Sequence, residues 1–227
     1  MQGEHIQFSN GADDVRAYIA RPTGGKGPGI VVIQEWWGLV PHIVDVVDRF
    51  ASEGFTALAP DLFHGESTTD PDEATTLMQA LNIEDAEAVM RKAILVLMAD
   101  AATEPSDKVG VIGFCMGGQL AMFAAGSNPA IQAVVNFYGI HPKVQPSYRH
   151  ISGPVLGIFA ENDNYASPEA VRALDKELTL LQKPHEFHTY AGTQHAFFND
   201  TRPEVYNAVA AQDAWKRTLE FFRCHLG

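Results

Sequence analysis

Short, unbroken apolar runs recur along this 227-residue chain, separated by stretches with helical spacing, and this alternation constrains the fold most. Ile30–Gln34, Phe55–Ala59, Val109–Ile112, Ala133–Phe137 and Val155–Phe159 are such runs, and Glu186–Tyr190 reads as a last strand. A strand that is apolar on both sides of its pleat must be covered on both faces, as in a parallel sheet. Between the runs, Ile43, Val46, Val47 and Phe50 fall at i, i+3, i+4 and i+7, one helical stripe. Ala86, Val89, Met90, Ala93, Ile94 and Leu97 repeat that spacing, and Gly117–Ala125 reads as a further helix. Ser167-Pro168 opens a helix running to about Leu181, with serine as cap and proline in the first turn. A last helix is expected over Pro203–His225. Strands joined by helices of this length imply an α/β fold with a mostly parallel central sheet, right-handed crossovers and helices on both faces.

At the start of the chain, Ile6–Phe8 and Val15–Ala20 flank Asn10-Gly11 and read as a hairpin. Thr23–Gly29 is the most linker-like stretch, but too little chain precedes it to fold alone. One domain over 1–227 is expected.

Composition excludes some partners. The net charge is −12, whereas a nucleic-acid binder needs a basic surface to displace phosphate counterions. The same balance disfavours an anionic membrane. The first ten residues hold no positive region followed by an apolar run, and no stretch is long enough to span a bilayer. Two cysteines, Cys115 and Cys224, build neither a disulfide framework nor a zinc pattern. A cytoplasmic protein is expected, monomeric or a small homo-oligomer, with a small molecule as partner and no cofactor or metal.

In an open α/β sheet, sites lie beyond the carboxyl ends of the strands. Those ends carry Glu35-Trp36-Trp37, Asp61, Cys115, Tyr138 and Asp163, with His195 after the last strand. Gly113-Phe114-Cys115-Met116-Gly117-Gly118 follows a strand and opens a helix. A nucleophile on so sharp a turn needs neighbours without side chains two residues away on either side, which Gly113 and Gly117 supply. The helix N-terminus behind Cys115 favours thiolate over thiol, and the N–H of Met116 becomes one oxyanion-hole donor. A buried cysteine among packing glycines is the bland alternative, and no P-loop lysine follows. Cys224, at the end of the last helix, reads as a small packing residue.

A Cys nucleophile on this turn requires an acid and then a histidine, in that chain order. Glu161 and Asp163 both follow the Val155–Phe159 strand; Asp163 lies further past its end, and Glu161 is the fallback. Of the nine histidines, those before the acid are out of order. His185 and His188 lie in the strand region and His225 at the chain end, which leaves His195. His195 would then carry the thiol proton, Cys115 would form a thioester, and water would hydrolyse it.

With Gln34-Glu35-Trp36-Trp37-Gly38, Ala59-Pro60-Asp61-Leu62, the Cys115 turn, Asp163 and His195-Ala196-Phe197 in place, the chain resembles the dienelactone hydrolase family over nearly its whole length. The resemblance implies an α/β-hydrolase fold and a carboxymethylenebutenolidase-type hydrolysis of an enol lactone or small carboxylic ester. It selects Asp163 over Glu161. It implies that Glu35 sits beside the thiol, where a charged carboxylate disfavours thiolate and can accept its proton. It also implies a second oxyanion donor at the N–H of Trp36. Trp37 and Tyr138 would wall the pocket. Members acting on dienelactone hold its carboxylate with arginines. His64 to Met90 contains neither Lys nor Arg, which leaves Arg202 as the candidate. Two rivals follow: a broad small-ester esterase or lactonase with the same triad, and a non-catalytic binding protein on this fold. Metal-dependent hydrolysis has no HExxH or clustered ligand spacing behind it.

Overall fold

β1 (Glu4–Ser9) and β2 (Asp14–Ala20) form the antiparallel hairpin, in register from Glu4↔Ile19 to Ser9↔Asp14. Its turn closes because Asn10 Oδ1 accepts the N–H of Asp13 at 2.8 Å, with Gly11 at φ 102°, where a residue without Cβ is unstrained. The computed structural model describes residues 3–11, 13–139, 141 and 143–227. Two units divide the chain, Met1–Val111 and Ile112–Gly227.

In the first unit, β2 pairs antiparallel with β4 (Thr56–Pro60), and β4 pairs parallel with β3 (Gly29–Ile33). Every residue of β3 and β4 is buried, as their unbroken apolar sequence requires. The strand order here is β1-β2-β4-β3-β5, and β5 (Val109–Phe114) runs across the division between the units. α1 (Pro41–Ser52) buries the expected stripe of Ile43, Val46, Val47 and Phe50, and Gly54 at φ 95° ends its run. The long helical region after Asp70 is two helices. α2 (Pro71–Ala80) is capped by Asp70, which accepts from Asp72 and Glu73. α3 (Ile83–Ala99) is capped by Asn82, which accepts from Glu84 and Asp85, and each cap satisfies donors a helix start leaves open.

In the second unit the order is β5-β6-β7-β8, with β6 (Ile131–Phe137), β7 (Val155–Asn162) and β8 (His185–Gln194) parallel. α4 (Met116–Ser127) packs on β6 and is buried around most of its circumference. α5 (Pro168–Leu180) opens as its sequence reads, with Ser167 Oγ accepting from Ala170 at 3.2 Å. Phe114, Phe137 and Phe198, all buried, form one aromatic cluster with centroids 4.9–5.4 Å apart. Truncating one such ring costs about 3–5 kcal/mol, so this cluster fixes the end of β5 firmly.

Three sequence-based expectations need correction. The last helix does not begin at Pro203. Residues 199–206 coil through turns such as Tyr206 N–H to Arg202 O at 3.0 Å, and α6 (Ala208–Leu226) starts after Asn207. Asn207 Oδ1 accepts from Ala210 at 3.1 Å, an acceptor that Pro203 has no side chain to provide. β8 runs past Tyr190 to Gln194, because pairing with β7 resumes at Asn162↔Gln194 beyond a bulge at Ala160/Asn162. Cys224 is exposed, not packed, since α6 turns that face outward. Among the described residues no helix is long and apolar enough to cross a membrane.

Candidate active site

Cys115 sits between β5 and α4 at φ 55°, ψ −124°, a backbone conformation that costs an L-residue about 1–3 kcal/mol. The bend is held on both sides. Cys115 N–H donates to Phe137 O on β6 at 3.0 Å, and Cys115 O accepts from Gly118 at 2.9 Å. Gly113 is obligatory, because a Cβ there would lie 1.9 Å from Gly117 O. The thiol is partly exposed. Met116 is the first residue of α4, so its N–H has no acceptor within the helix and points out of its positive end.

Asp163 follows β7 directly, just beyond the bulge. Its side chain is 0% exposed. Oδ1 accepts the N–H of Tyr165 at 2.7 Å and of Ala166 at 2.9 Å, which leaves Oδ2 facing His195. His195 Nδ1 lies 2.8 Å from that oxygen. Glu161, the competing acid, is exposed and accepts instead from the Gly192 N–H at 2.8 Å.

His195 sits at the very tip of β8, a tighter placement than a free loop. The next residue, Ala196, is at φ 63°, and the chain turns back through Phe197 N–H to Gln194 O at 3.2 Å. Two rings, Tyr138 and Tyr165, each have their centroid 5.0 Å from that of the imidazole. Burial alone would lower its pKa. Hydrogen bonds and electrostatic interactions with Asp163 and Cys115 outweigh burial and push it up to about 10. Cys115, Tyr138 (φ 41°) and Ala196 all have positive φ, so three strained residues meet at one place.

The geometry thus brings Cys115, Asp163 and His195 together. It sets Cys115 at a helix N-terminus beside the His195 imidazole, with the buried Asp163 carboxylate against the imidazole's Nδ1. Tyr138 is 0% exposed, and its ring lies 5.0 Å from the imidazole. Arg202 Nε pairs with Glu204 Oε1 at 2.9 Å, so part of its guanidinium is already engaged. His185 and His188 are engaged elsewhere, on Asp175 and Glu186. Sequence reasoning missed Tyr165. Its signal was its place two residues after the acid, where an Asx turn returns a backbone N–H to the carboxylate.

In the first unit, Glu35 follows β3 and is 1% exposed. Gln34 Oε1 accepts the Leu62 N–H at 3.1 Å, tying the ends of β3 and β4 together. The Trp36 and Trp37 rings meet edge to face at 4.9 Å, with Trp37 the more buried. Among the described residues there is no group of three or more His, Cys, Asp or Glu placed to hold a metal.

A strand-to-helix turn carrying a cysteine, followed in order by an aspartate and a histidine at later strand ends, is the arrangement of an α/β-hydrolase-type protein. The model of the dienelactone hydrolase family matches residues 15–226, and the chain belongs to that family of hydrolases. It is 38% identical over 231 residues to "Protein usf" of Aquifex pyrophilus, covering 99% of each chain. It is 32% identical over 231 residues to a protein of Aquifex aeolicus named "Putative carboxymethylenebutenolidase", again covering 99% of each. Among solved structures, it superposes with TM-score 0.88 and 25% identity on a Klebsiella pneumoniae protein described as "Putative Dienelactone Hydrolase", covering 97% of this chain and 98% of that one.

Proposed function

We propose that this protein hydrolyses a small carboxylic ester or enol lactone, as a carboxymethylenebutenolidase-type enzyme, through Cys115, His195 and Asp163. The observation that carries the reading is His195. Its Nδ1 lies 2.8 Å from a buried Asp163, and the same imidazole bonds Cys115. With its pKa raised to about 10, His195 carries a proton at neutral pH, and the sulfur it bonds is the nucleophile of this reading.

The sulfur adds to the substrate carbonyl carbon, and the carbonyl π pair moves to oxygen. The Met116 N–H and, on this reading, the Trp36 N–H take the resulting oxyanion; one such donor is worth about 10²–10³ in kcat. Collapse breaks the C–O bond to the leaving alkoxide or enolate, which takes a proton from His195. The thioester then accepts water, whose proton passes to His195. The second collapse releases the carboxylic acid and returns the proton to the Cys115–His195 pair. Asp163 stays ionised and holds the imidazole's orientation. Glu35 modulates the thiol, and Trp37 walls the pocket. These steps need no cofactor, and a free catalytic thiol suits a reducing cytoplasm.

A broad small-ester esterase with the same triad is favoured over a dienelactone specialist by one observation. His64–Met90 supplies no cation, and Arg202 already engages Glu204. Turnover of p-nitrophenyl acetate and of a dienelactone, side by side, decides between them. The triad itself is tested by Cys115→Ala and Cys115→Ser. The first is expected to retain the fold and lose all turnover, and the second to lose at least tenfold in kcat/KM, about 1.4 kcal/mol. An acyl adduct on Cys115, caught by mass spectrometry after acid quench, identifies the thioester. Full activity in Cys115→Ala overturns the reading.

A further inference from the structure

A cavity of about 660 Å³ opens in the first unit, between the hairpin and the loop after β4. Such a volume suits a small organic molecule. Arg16, on β2, reaches into it from the hairpin side, with His5 and Gln7 of β1 beside it and Ser67 on the loop. Ile6 and Leu39 supply apolar wall.

The guanidinium of Arg16 is exposed and has no ion pair or side-chain hydrogen bond among the described residues. Asp61, buried below it, balances its charge without using its donors. Both Asp61 oxygens are committed to backbone N–H groups, Oδ1 to Phe63 at 3.0 Å and Oδ2 to Gly65 at 2.7 Å. Gly65, at φ 98°, makes room for the guanidinium. A Cβ there would stand 3.1 Å from Arg16 Nη1 and 3.4 Å from its Cζ. The arginine therefore lies against the loop backbone with its planar fork of donors open to the cavity. A fork of that shape matches a carboxylate bidentately. Glu66, on the same wall, sets the ligand's charge. Arg16 stands beside two carboxylates, Asp61 and Glu66, so a ligand with one negative charge is repelled less than a dianion and is held by the guanidinium's directed donors, not by net charge.

We propose that this cavity is a binding site for a small monoanionic carboxylate with an apolar body, held bidentately by Arg16. The proposal does not depend on the chemistry proposed for Cys115.

Benzoate is the probe, titrated into ¹⁵N-labelled full-length protein, with benzamide and inorganic phosphate as comparators. Saturable shifts are expected at the backbone amides of Gln7, Gly65 and Ser67 with benzoate. Benzamide should produce none, and phosphate should bind at least tenfold more weakly. Arg16→Gln, at an exposed position, should weaken benzoate at least tenfold, while Arg16→Lys, which keeps the charge but not the fork, should fall between. Iodoacetamide labelling of Cys115 in Arg16→Gln should match wild type, which separates this site from the hydrolase reading. Unchanged benzoate affinity in Arg16→Gln, equal binding of benzamide or phosphate, or no shift at those three amides overturns the proposal.

Discussion

Tyr165 engages both Asp163 and His195. Its N–H donates to Asp163 Oδ1 at 2.7 Å, and its ring lies 5.0 Å from the His195 imidazole. The acid is buried, whereas the tyrosine is 66% exposed. Its N–H shares Oδ1 with that of Ala166, which leaves Oδ2 to the histidine, while its exposed ring lies beside the imidazole.

The backbone part of that role survives any ordinary substitution, while the ring part does not. An imidazolium near an aromatic face gains about 0.5–1 kcal/mol at a partly exposed site. Tyr165→Ala is therefore expected to lower kcat/KM by about twofold to fivefold with little change in melting temperature. Tyr165→Phe should restore most of the rate. Steady-state kinetics on p-nitrophenyl acetate check this, and an alanine variant as fast as wild type would show the ring to be a bystander.

The His195 pKa sets a pH dependence with a definite sign. It rises from an ordinary 6.5 to about 10 when the chain folds, because its bonds to Asp163 and Cys115 outweigh burial. A raised folded value means that protonated His195 stabilises the folded state fully below about pH 6.5. That contribution declines as pH rises from there through about 10, and is absent above it. The melting-temperature advantage of wild type over His195→Gln should be constant at the acid end of that window and shrink steadily toward pH 10. Melts at fixed ionic strength read it directly; an advantage that grows with pH would mean that the folded protein holds His195 neutral.

The bend at Cys115 predicts an inverted stability order. At φ 55° and ψ −124° a Cβ is a burden, and glycine removes it. Cys115→Gly and Cys115→Ala both lack the sulfur and should both be inactive. Glycine should nonetheless be the more stable of the two by about 1 kcal/mol, or about 2–4 °C in Tm for a chain of this size. In a relaxed turn alanine would win instead, so differential scanning calorimetry of the pair measures the strain.

How much of this was legible in the sequence depends on how local each cause is. The β3, β4, β5, β6 and β7 runs declare themselves because burial on both faces leaves few polar positions, buried Asn136 among them. The Cys115 turn is equally plain, since Gly113 and its strand-to-helix setting are adjacent in sequence. β8 reads short because it is an edge strand of mixed burial, and its last pairing comes only after its own residues 191–193 bulge opposite the single Glu161. The start of α6 was misplaced because Pro203 and Asn207 are both acceptable openings. What settles the matter is a set of tertiary bonds such as Asn207 N–H to Phe197 O at 3.0 Å. Exposure of Cys224 follows from which side of α6 faces the sheet, a phase that the mixed Phe221-Phe222-Arg223 sequence leaves ambiguous. Tyr138 and Tyr165 were beyond reach as partners of one imidazole, because they come together only when three strand ends converge.

The choice between Glu161 and Asp163 was open for the same reason, and it yields a sharp test. The two carboxylates stand two residues apart on either side of Asn162, and only the fold separates them. Asp163 lies buried against His195, and Glu161 lies exposed against Gly192. Asp163→Asn keeps the shape but makes the group at Oδ2 a poor partner for the imidazole, so kcat should fall by about 10⁴, as when the acid of a Ser-His-Asp triad is made an amide. Glu161→Gln loses one exposed hydrogen bond and should leave kcat within about twofold. The thiol reports the same difference independently. Iodoacetamide should alkylate Cys115 faster than the exposed Cys224 in wild type and in Glu161→Gln, and lose that preference in Asp163→Asn, with peptide mapping to tell the two sulfurs apart. If instead Glu161→Gln is the variant that loses activity, the buried carboxylate is structural and the acid of this site has been assigned to the wrong side of Asn162.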